Sequence, residues 1–85
     1  MIKIKIKFFG ILKEYLEDTD IIIQKNETLL NIKKHIIENN LKNNTDHLKE
    51  IIEKSIFSNN KKFLKDKQLI KKSSTIYLLP PFSGG

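Results

Sequence analysis

The 85-residue sequence ends with LLPPFSGG, and the group in this stretch that is suited to covalent chemistry is the terminal carboxyl group of Gly85. Gly84 and Gly85 lack a Cβ atom, so they could pass through a channel too narrow for any side chain. The chemistry that needs such a thin carboxyl group is its activation, in which an enzyme adenylates it with ATP and a sulfur or amine nucleophile displaces AMP. The sequence therefore predicts a C-terminal carboxyl group that other proteins load with a chemical group and then unload.

The residues before the two glycines predict a stiff stalk. Pro80 and Pro81 fix φ and disfavour helix in the residues before them, so the chain should leave its domain extended. Residues 80–85 would reach about 20 Å in that conformation. The tail has no hydrophobic core in which Phe82 could be buried, so this side chain is suited to be an anchor in a partner's pocket. Ser83 is small. We therefore predict a domain over residues 1–79 and a protruding tail over residues 80–85.

Other polar residues do not form a convincing catalytic site. His35 and His47 have no second histidine or cysteine at metal-ligand spacing, so both are interpreted as surface or helix-end residues and no metal site is predicted. A local acidic cluster indicates a solvated loop rather than a catalytic pair: Glu14, Glu17, Asp18 and Asp20. No phosphate-binding loop or Ser-His-Asp grouping is present, so the chain is a poor candidate for a free-standing enzyme.

Composition restricts the class of protein. The length allows one domain, and the absence of cysteine excludes disulfides and thiolate metal sites within this chain. No apolar run approaches the ~20 residues of a membrane span. The start, MIKIKIKFFG, alternates apolar and charged residues, unlike a signal peptide. The expectation is a soluble cytoplasmic protein that makes no membrane contact.

The formal charge of +6 raises the question of nucleic-acid binding, because all 16 basic residues are lysine. The lysines are scattered along the chain, and arginine, the best bidentate phosphate reader, is absent. A solvated lysine surface is the favoured interpretation, and nucleic-acid binding is disfavoured.

Two strands are predicted near the start of the chain. Apolar residues alternate with lysines in the first stretch: Ile2, Ile4, Ile6 and Phe8. This period of two is typical of a strand with one buried face. Gly10 permits a sharp turn, and a short helical turn through Leu12 and Leu16 follows. The stretch DIIIQ, with β-branched residues at positions 21–23, predicts the second strand.

Two helices are predicted next. Thr28 is a candidate N-cap for the first, whose apolar face comprises Leu29, Ile32, Ile36 and Ile37. Asn39 and Asn40 are candidate stop residues. Thr45 is a candidate N-cap for a shorter helix with an apolar face at Leu48, Ile51 and Ile52.

Three further strands complete the prediction. Two short strands flank Asn59 and Asn60, which accept the positive φ of a tight turn, and TIYLLP forms the last strand. Strands on one side and a packed helix on the other give an α+β roll. In such a roll the first and last strands can pair in the middle of the sheet.

The tail, the opening IKIKFFG, the helix after Thr28 and SNN before the later strands together resemble the small subunits of molybdopterin synthase, a family of β-grasp sulfur carriers related to ubiquitin. Pro-Pro followed by x-x-Gly-Gly is the specific part. The resemblance implies an α+β β-grasp fold with a mixed sheet of about five strands packed on one main helix. The chain departs from the family in its lack of alanine, valine and arginine and in its basic balance.

The resemblance also implies a role for each tail residue. Gly85 would be adenylated by a ubiquitin-activating-type enzyme, which uses ATP, and converted to a thiocarboxylate by a sulfur donor. The tail would then enter the large catalytic subunit of molybdopterin synthase, with Gly84 in the narrow part of the channel. Phe82, Pro81 and Pro80 would dock against that partner, and Ser83 is a tolerated small position.

The family further implies a heterotetramer of two small and two large subunits, and two rounds of sulfur transfer to the pterin substrate. The small subunit itself is non-catalytic and binds no cofactor. Three alternatives stay open: a related carrier of thiamine synthesis or tRNA thiolation, a protein modifier, and, from a different class, a plain interaction or nucleic-acid-binding domain.

Overall fold

The computed structural model describes residues 1–39 and 46–81. Its elements are listed in chain order: β1 (Ile2–Phe8), a 3₁₀ helix (Gly10–Glu14), β2 (Thr19–Ile23), β3 (Glu27–Thr28), α1 (Leu29–Asn39), α2 (Asp46–Lys54), β4 (Ile56–Ser58), β5 (Phe63–Leu64), β6 (Leu69–Ile70) and β7 (Ser74–Leu79). The strands and helices predicted from sequence are confirmed within the described ranges.

The main sheet has five strands in the order β2-β1-β7-β4-β5. β1 and β7 are parallel neighbours, with Ile6 opposite Ile76, whereas β2 and β4 pair with them in antiparallel fashion. The predicted pairing of the first and last strands at the centre of the sheet is therefore confirmed. A parallel neighbour also means that β1 and β7 end at the same edge of the molecule.

The core lies on one face of this sheet. The alternating isoleucines of β1 are buried, whereas Lys3 and Lys5 are exposed on the other face. Phe8, Phe57 and Leu78 join them from neighbouring strands and are almost completely buried. Leu12 and Leu16, from the predicted helical turn, close the same core, although the 3₁₀ helix itself ends at Glu14.

Helix α1 begins as its sequence predicts. The Thr28 hydroxyl accepts a hydrogen bond from the Asn31 backbone N–H at 3.2 Å, which is the N-cap arrangement. The Leu29 N–H, free of any partner within the helix, donates to the Gln68 carbonyl at 3.1 Å. Leu29, Ile32 and Ile36 are buried, as predicted, and Ile37 packs against the core. The predicted stop residue Asn40 and the predicted cap Thr45 lie outside the described residues.

Lys33 is the buried residue of α1 that the sequence did not indicate. Its side chain is 4% exposed, and its Nζ lies 2.9 Å from Asp66 Oδ1. The same ammonium group donates to the Glu53 carbonyl at 3.3 Å, near the end of α2. Lys33 thus ties both helices to the loop between β5 and β6.

The turn between β4 and β5 also follows its sequence. Asn60 has φ 83°, and the Asn59 N–H donates to the Lys62 carbonyl at 3.1 Å. A second, two-stranded sheet pairs β3 with β6, with Glu27 opposite Ile70. Sequence reasoning missed this pair because two residues are too few to display a period.

Neither helix in the part of the chain that the structure describes is long and apolar enough to cross a membrane.

Candidate functional site at the base of the tail

Strand β7 determines where the tail leaves the domain. Its last residues lie between two neighbours, with Leu78 opposite Phe8 on β1 and Leu79 opposite Ile56 on β4. One further hydrogen bond, from the Phe9 N–H to the Leu78 carbonyl at 3.2 Å, ties the residue after β1 to the end of β7. The chain is therefore held on both sides up to the residue before Pro80.

Pro80 rests on Gly10. Gly10 has φ +60°, and a Cβ atom built on it would lie 2.8 Å from Pro80 Cγ. A side chain at position 10 would therefore be strained by the left-handed backbone and would collide with the proline ring. Sequence reasoning assigned Gly10 only to a sharp turn, but the structure shows that its bare backbone also makes room for the first residue of the tail.

Exposed apolar side chains surround this exit on the outer face of the sheet. Phe9, Ile56 and Phe63 are 43%, 47% and 67% exposed. Ile56 is the cross-strand partner of Leu79, and Ser58 pairs with both Tyr77 and Phe63, so the strand register places these positions on one face. We call this surface the exit patch and define it as Phe9, Ile56, Phe63, Tyr77 and Leu79.

The exit patch contains one ordered aromatic contact. The Phe9 and Tyr77 rings meet edge to face, with centroids 5.6 Å apart and planes at 86°. The Lys13 ammonium lies 5.9 Å from the Phe9 ring centroid, within the range of a cation–π interaction. Phe9 is thereby held in place while part of its surface stays accessible to a partner.

The structure describes two of the six predicted site residues. Pro80 is half-buried and Pro81 is exposed, so the described part of the tail moves from contact with the domain into solvent. Phe82, Ser83, Gly84 and Gly85 lie outside the described residues, so their predicted roles stay predictions.

The residues set aside during sequence analysis lie at the surface. His35 and His47 are exposed, and the described residues include no group of histidine, aspartate or glutamate side chains that could hold a metal ion. Within the acidic cluster, Asp20 lies 3.7 Å from Lys5 and 3.9 Å from Lys3, in exposed ion pairs across β1 and β2. These contacts account for Asp20 without a catalytic role.

Solved structures that share this architecture include three from different organisms. A putative molybdopterin converting factor subunit 1 from Pyrococcus furiosus is 13% identical, with a TM-score of 0.71 over 95% of this chain and 99% of the other. Caldiarchaeum subterraneum ubiquitin is 15% identical, with a TM-score of 0.62 over 99% and 98%. The ubiquitin-like domain of Plasmodium falciparum Dsk2 is 21% identical, with a TM-score of 0.63 over 94% and 97%.

Comparison with protein-family models finds no match, and neither does comparison with curated proteins. The structural neighbours establish the fold: the chain has a ubiquitin-like β-grasp fold, similar in architecture to the Pyrococcus furiosus protein. The fold class expected from the sequence is confirmed. The neighbours are too distant in sequence to establish the chemistry.

Proposed function

We propose that this β-grasp protein is a sulfur carrier that acts as the small subunit of a molybdopterin synthase. The observation that carries the proposal is the junction between β7 and the tail. There, Pro80 is seated on Gly10 beside an exposed apolar patch, directly before the sequence PFSGG. The domain positions the start of the tail and presents a docking surface next to it, while it provides no acid, base or nucleophile cluster of its own among the described residues.

The proposed chemistry takes place at the Gly85 carboxylate, which must be the free end of the chain in the working protein. An activating enzyme of the ubiquitin-activating type joins one carboxylate oxygen to the α-phosphorus of ATP, releasing pyrophosphate. A sulfur donor that supplies sulfur at the oxidation level of sulfide then displaces AMP, which departs with that oxygen. The product is a thiocarboxylate on Gly85.

The large catalytic subunit is the proposed acceptor of the thiocarboxylated tail. At each of two carbons of the pterin substrate, the thiocarboxylate sulfur displaces an oxygen substituent and forms a thioester. Water hydrolyses the thioester to leave the sulfur on the substrate and restore the carboxylate, so that two thiocarboxylated carriers supply the two sulfurs of the dithiolene. Gly84 occupies the narrow part of the channel, and Phe82 and Pro81 contact its mouth. The exit patch meets the partner beside that mouth, because burial of its exposed apolar side chains contributes a favourable hydrophobic term to the complex.

The decisive experiment is mass spectrometry of the intact protein after incubation with an activating enzyme, ATP and a sulfur donor. We expect the mass change for exchange of one oxygen for sulfur, located at Gly85 by fragmentation. Fragmentation is necessary because oxidation of Met1 adds nearly the same mass. A chain that lacks Gly84 and Gly85 is the control, and it should stay unmodified.

Gly84→Val separates channel entry from folding. We expect this variant to melt at the temperature of the parent protein and to fail in sulfur transfer to the large subunit, because a branched side chain does not fit a channel shaped for glycine.

Absence of the mass change in the parent protein would contradict the proposal. Covalent conjugates between Gly85 and lysines of other proteins on a denaturing gel would instead favour a protein modifier.

A further inference from the structure

The net charge of this protein is confined to its last third, although its lysines are distributed along the whole sequence. Residues 1–53 contain nine lysines and nine acidic residues, so their formal charge is zero. Residues 54–85 contain seven lysines and one acidic residue, Asp66, and therefore carry the entire formal charge of +6. Asp66 forms its ion pair with the buried Lys33, at 2.9 Å. Apart from Asp66, the lysines of the last third have no acidic neighbours in their own segment, and Lys54 is paired with Glu50 of the preceding segment at 3.1 Å.

Four of these lysines lie in two turns. Lys61 and Lys62 belong to the turn between β4 and β5, and Lys71 and Lys72 belong to the turn between β6 and β7. All four are exposed. Because like charges on adjacent residues repel one another, a partner with carboxylates would stabilise this part of the surface.

An apolar groove opens between the two turns. β4 pairs with β7 at residues 77–79, so residues 74–76 extend beyond the end of β4. The groove at this place has a volume of about 460 Å³, and most of its lining surface is apolar. The lining comprises four apolar residues, three polar residues and two exposed lysines at the rim: Leu64, Leu69, Ile70 and Ile76; Asn59, Gln68 and Ser74; Lys71 and Lys72. Leu69 is 43% exposed, whereas Leu64, Ile70 and Ile76 form a buried floor. We call this surface the basic groove.

We propose that the basic groove binds an acidic segment of another protein. One apolar side chain of that segment covers the floor of the groove, and carboxylates on either side of it meet Lys71 and Lys72 at the rim. The positively charged rim supplies the charge complementarity, and the apolar floor supplies the position at which the segment is held.

The lining favours an acidic protein segment over a nucleic acid. Phosphodiesters gain nothing from an apolar floor, and bases require aromatic or guanidinium planes on which to stack. The described lining contains no aromatic side chain, and the sequence contains no arginine. A peptide in which acidic residues flank a short central apolar stretch matches both the floor and the rim.

The basic groove is separate from the site proposed for sulfur transfer. Ser74 begins β7 and Leu79 ends it, and the groove lies beside the first half of the strand, so its lining residue nearest the tail, Ile76, is about 13 Å from Pro80 at ~3.3 Å per residue. A protein bound at the groove leaves the tail accessible. The inference therefore goes beyond the proposed function and does not depend on it.

The test is a titration of the isotopically labelled full chain, monitored by its backbone amide resonances. The probe is a blocked peptide of alternating glutamate and aspartate with a central Leu-Ile pair. Two control peptides replace the Leu-Ile pair with serine or the acidic residues with lysine, and an oligothymidylate of equal charge represents nucleic acid. We expect the acidic apolar peptide to shift the amides of Asn59, Leu69 and Ser74, and each control peptide to bind more weakly.

Two charge-matched double variants make the test specific. Lys71→Gln with Lys72→Gln should weaken peptide binding about fivefold, the effect expected from the loss of two exposed ion pairs. Lys34→Gln with Lys49→Gln removes the same charge from two exposed positions on the helices and should leave the affinity nearly unchanged. Leu69→Ser should weaken the binding of the Leu-Ile peptide and leave that of the serine peptide unchanged. Amide dispersion of each variant verifies folding.

The proposal is overturned if the shifts spread over lysines throughout the chain, or if both double variants weaken binding equally. It is also overturned if the oligothymidylate binds as tightly as the acidic apolar peptide, since that result would identify a phosphate-binding surface. Shifts that change with protein concentration in the absence of peptide would assign the groove to a second copy of this chain and would equally contradict it.

Discussion

Substitution of Gly10 by alanine tests whether the domain positions the base of the tail. The left-handed backbone at φ +60° costs a residue with a Cβ about 1–2 kcal/mol. The new Cβ would also lie 2.8 Å from Pro80 Cγ, so the proline must move by roughly 0.7 Å or more to reach ordinary contact. We therefore expect Gly10→Ala to lose at least ~1–2 kcal/mol of unfolding free energy and to displace Pro80.

A double-mutant cycle measured by urea unfolding separates the two costs. Pro80→Ala removes the ring atom that the new Cβ meets, so Gly10→Ala should cost less in the Pro80→Ala background by about 0.5 kcal/mol or more. Gly10→Asn has the same Cβ but tolerates positive φ, and it should therefore be less destabilising than Gly10→Ala. The amide resonances of Leu79 and Phe82 should shift in Gly10→Ala, because both residues adjoin the stretch that begins the tail.

Three results would refute this reasoning. The first is Gly10→Ala with the stability of the parent protein, and the second is a coupling energy of zero with Pro80→Ala. The third is equal cost for the alanine and asparagine variants, because backbone strain would then be excluded as a cause. Either of the first two would mean that contact between Gly10 and Pro80 does not determine how the tail leaves the sheet, and the third would leave the collision with Pro80 as the only cost.

Three further predictions concern stability. Asp66→Ala should destabilise the domain more than Lys33→Met in urea unfolding, because Asp66→Ala leaves a buried ammonium without its carboxylate, whereas Lys33→Met leaves a 43% exposed carboxylate. The opposite order would contradict the role assigned to Lys33. Ile4→Asp should abolish the native melting transition, since Ile4 is fully buried, and a folded variant would show that β1 is not central. The hydrogen bond and charge of Lys54 lower the pKa of Glu50, so the small stabilisation by this exposed pair should be present above the ordinary carboxyl pKa and lost as the pH falls through the lowered value. The difference in stability between Glu50→Gln and the parent protein should therefore disappear in acid. A difference that stays constant with pH would exclude the pair as its cause.

The exit patch links the fold to the proposed partner. A ubiquitin-like fold by itself does not indicate sulfur chemistry, because such folds serve several functions. The features that favour a carrier are local: the stiff tail sequence, the seat of Pro80 on Gly10 and the exposed aromatic and aliphatic side chains beside it. Each of these can be changed by mutation without removing the core, so folding and transfer can be tested separately.

Local sequence patterns were sufficient to predict most of the elements. The alternation in β1, the Thr28 cap and the positive φ at Asn60 each depend on residues within a few positions of one another, and the structure confirms all three. The central pairing of β1 with β7 was an arrangement that an α+β roll allows, and the structure confirms it. The chemistry predicted for Gly85 depends on the tail sequence alone and remains a prediction.

The tertiary structure decided the features that depend on distant pairs of residues. The register of β1 with β7 brings Gly10 to Pro80, and the end of β4 at Ser58 opens the basic groove beside the first half of β7. Lys33 is buried because a carboxylate from a distant loop reaches its ammonium group. Spacing along the chain specifies which face of an element is apolar, but only the packing of one element on another specifies which residues are in contact. In this protein such contacts define both the exit patch and the basic groove, the two surfaces for which we propose a partner.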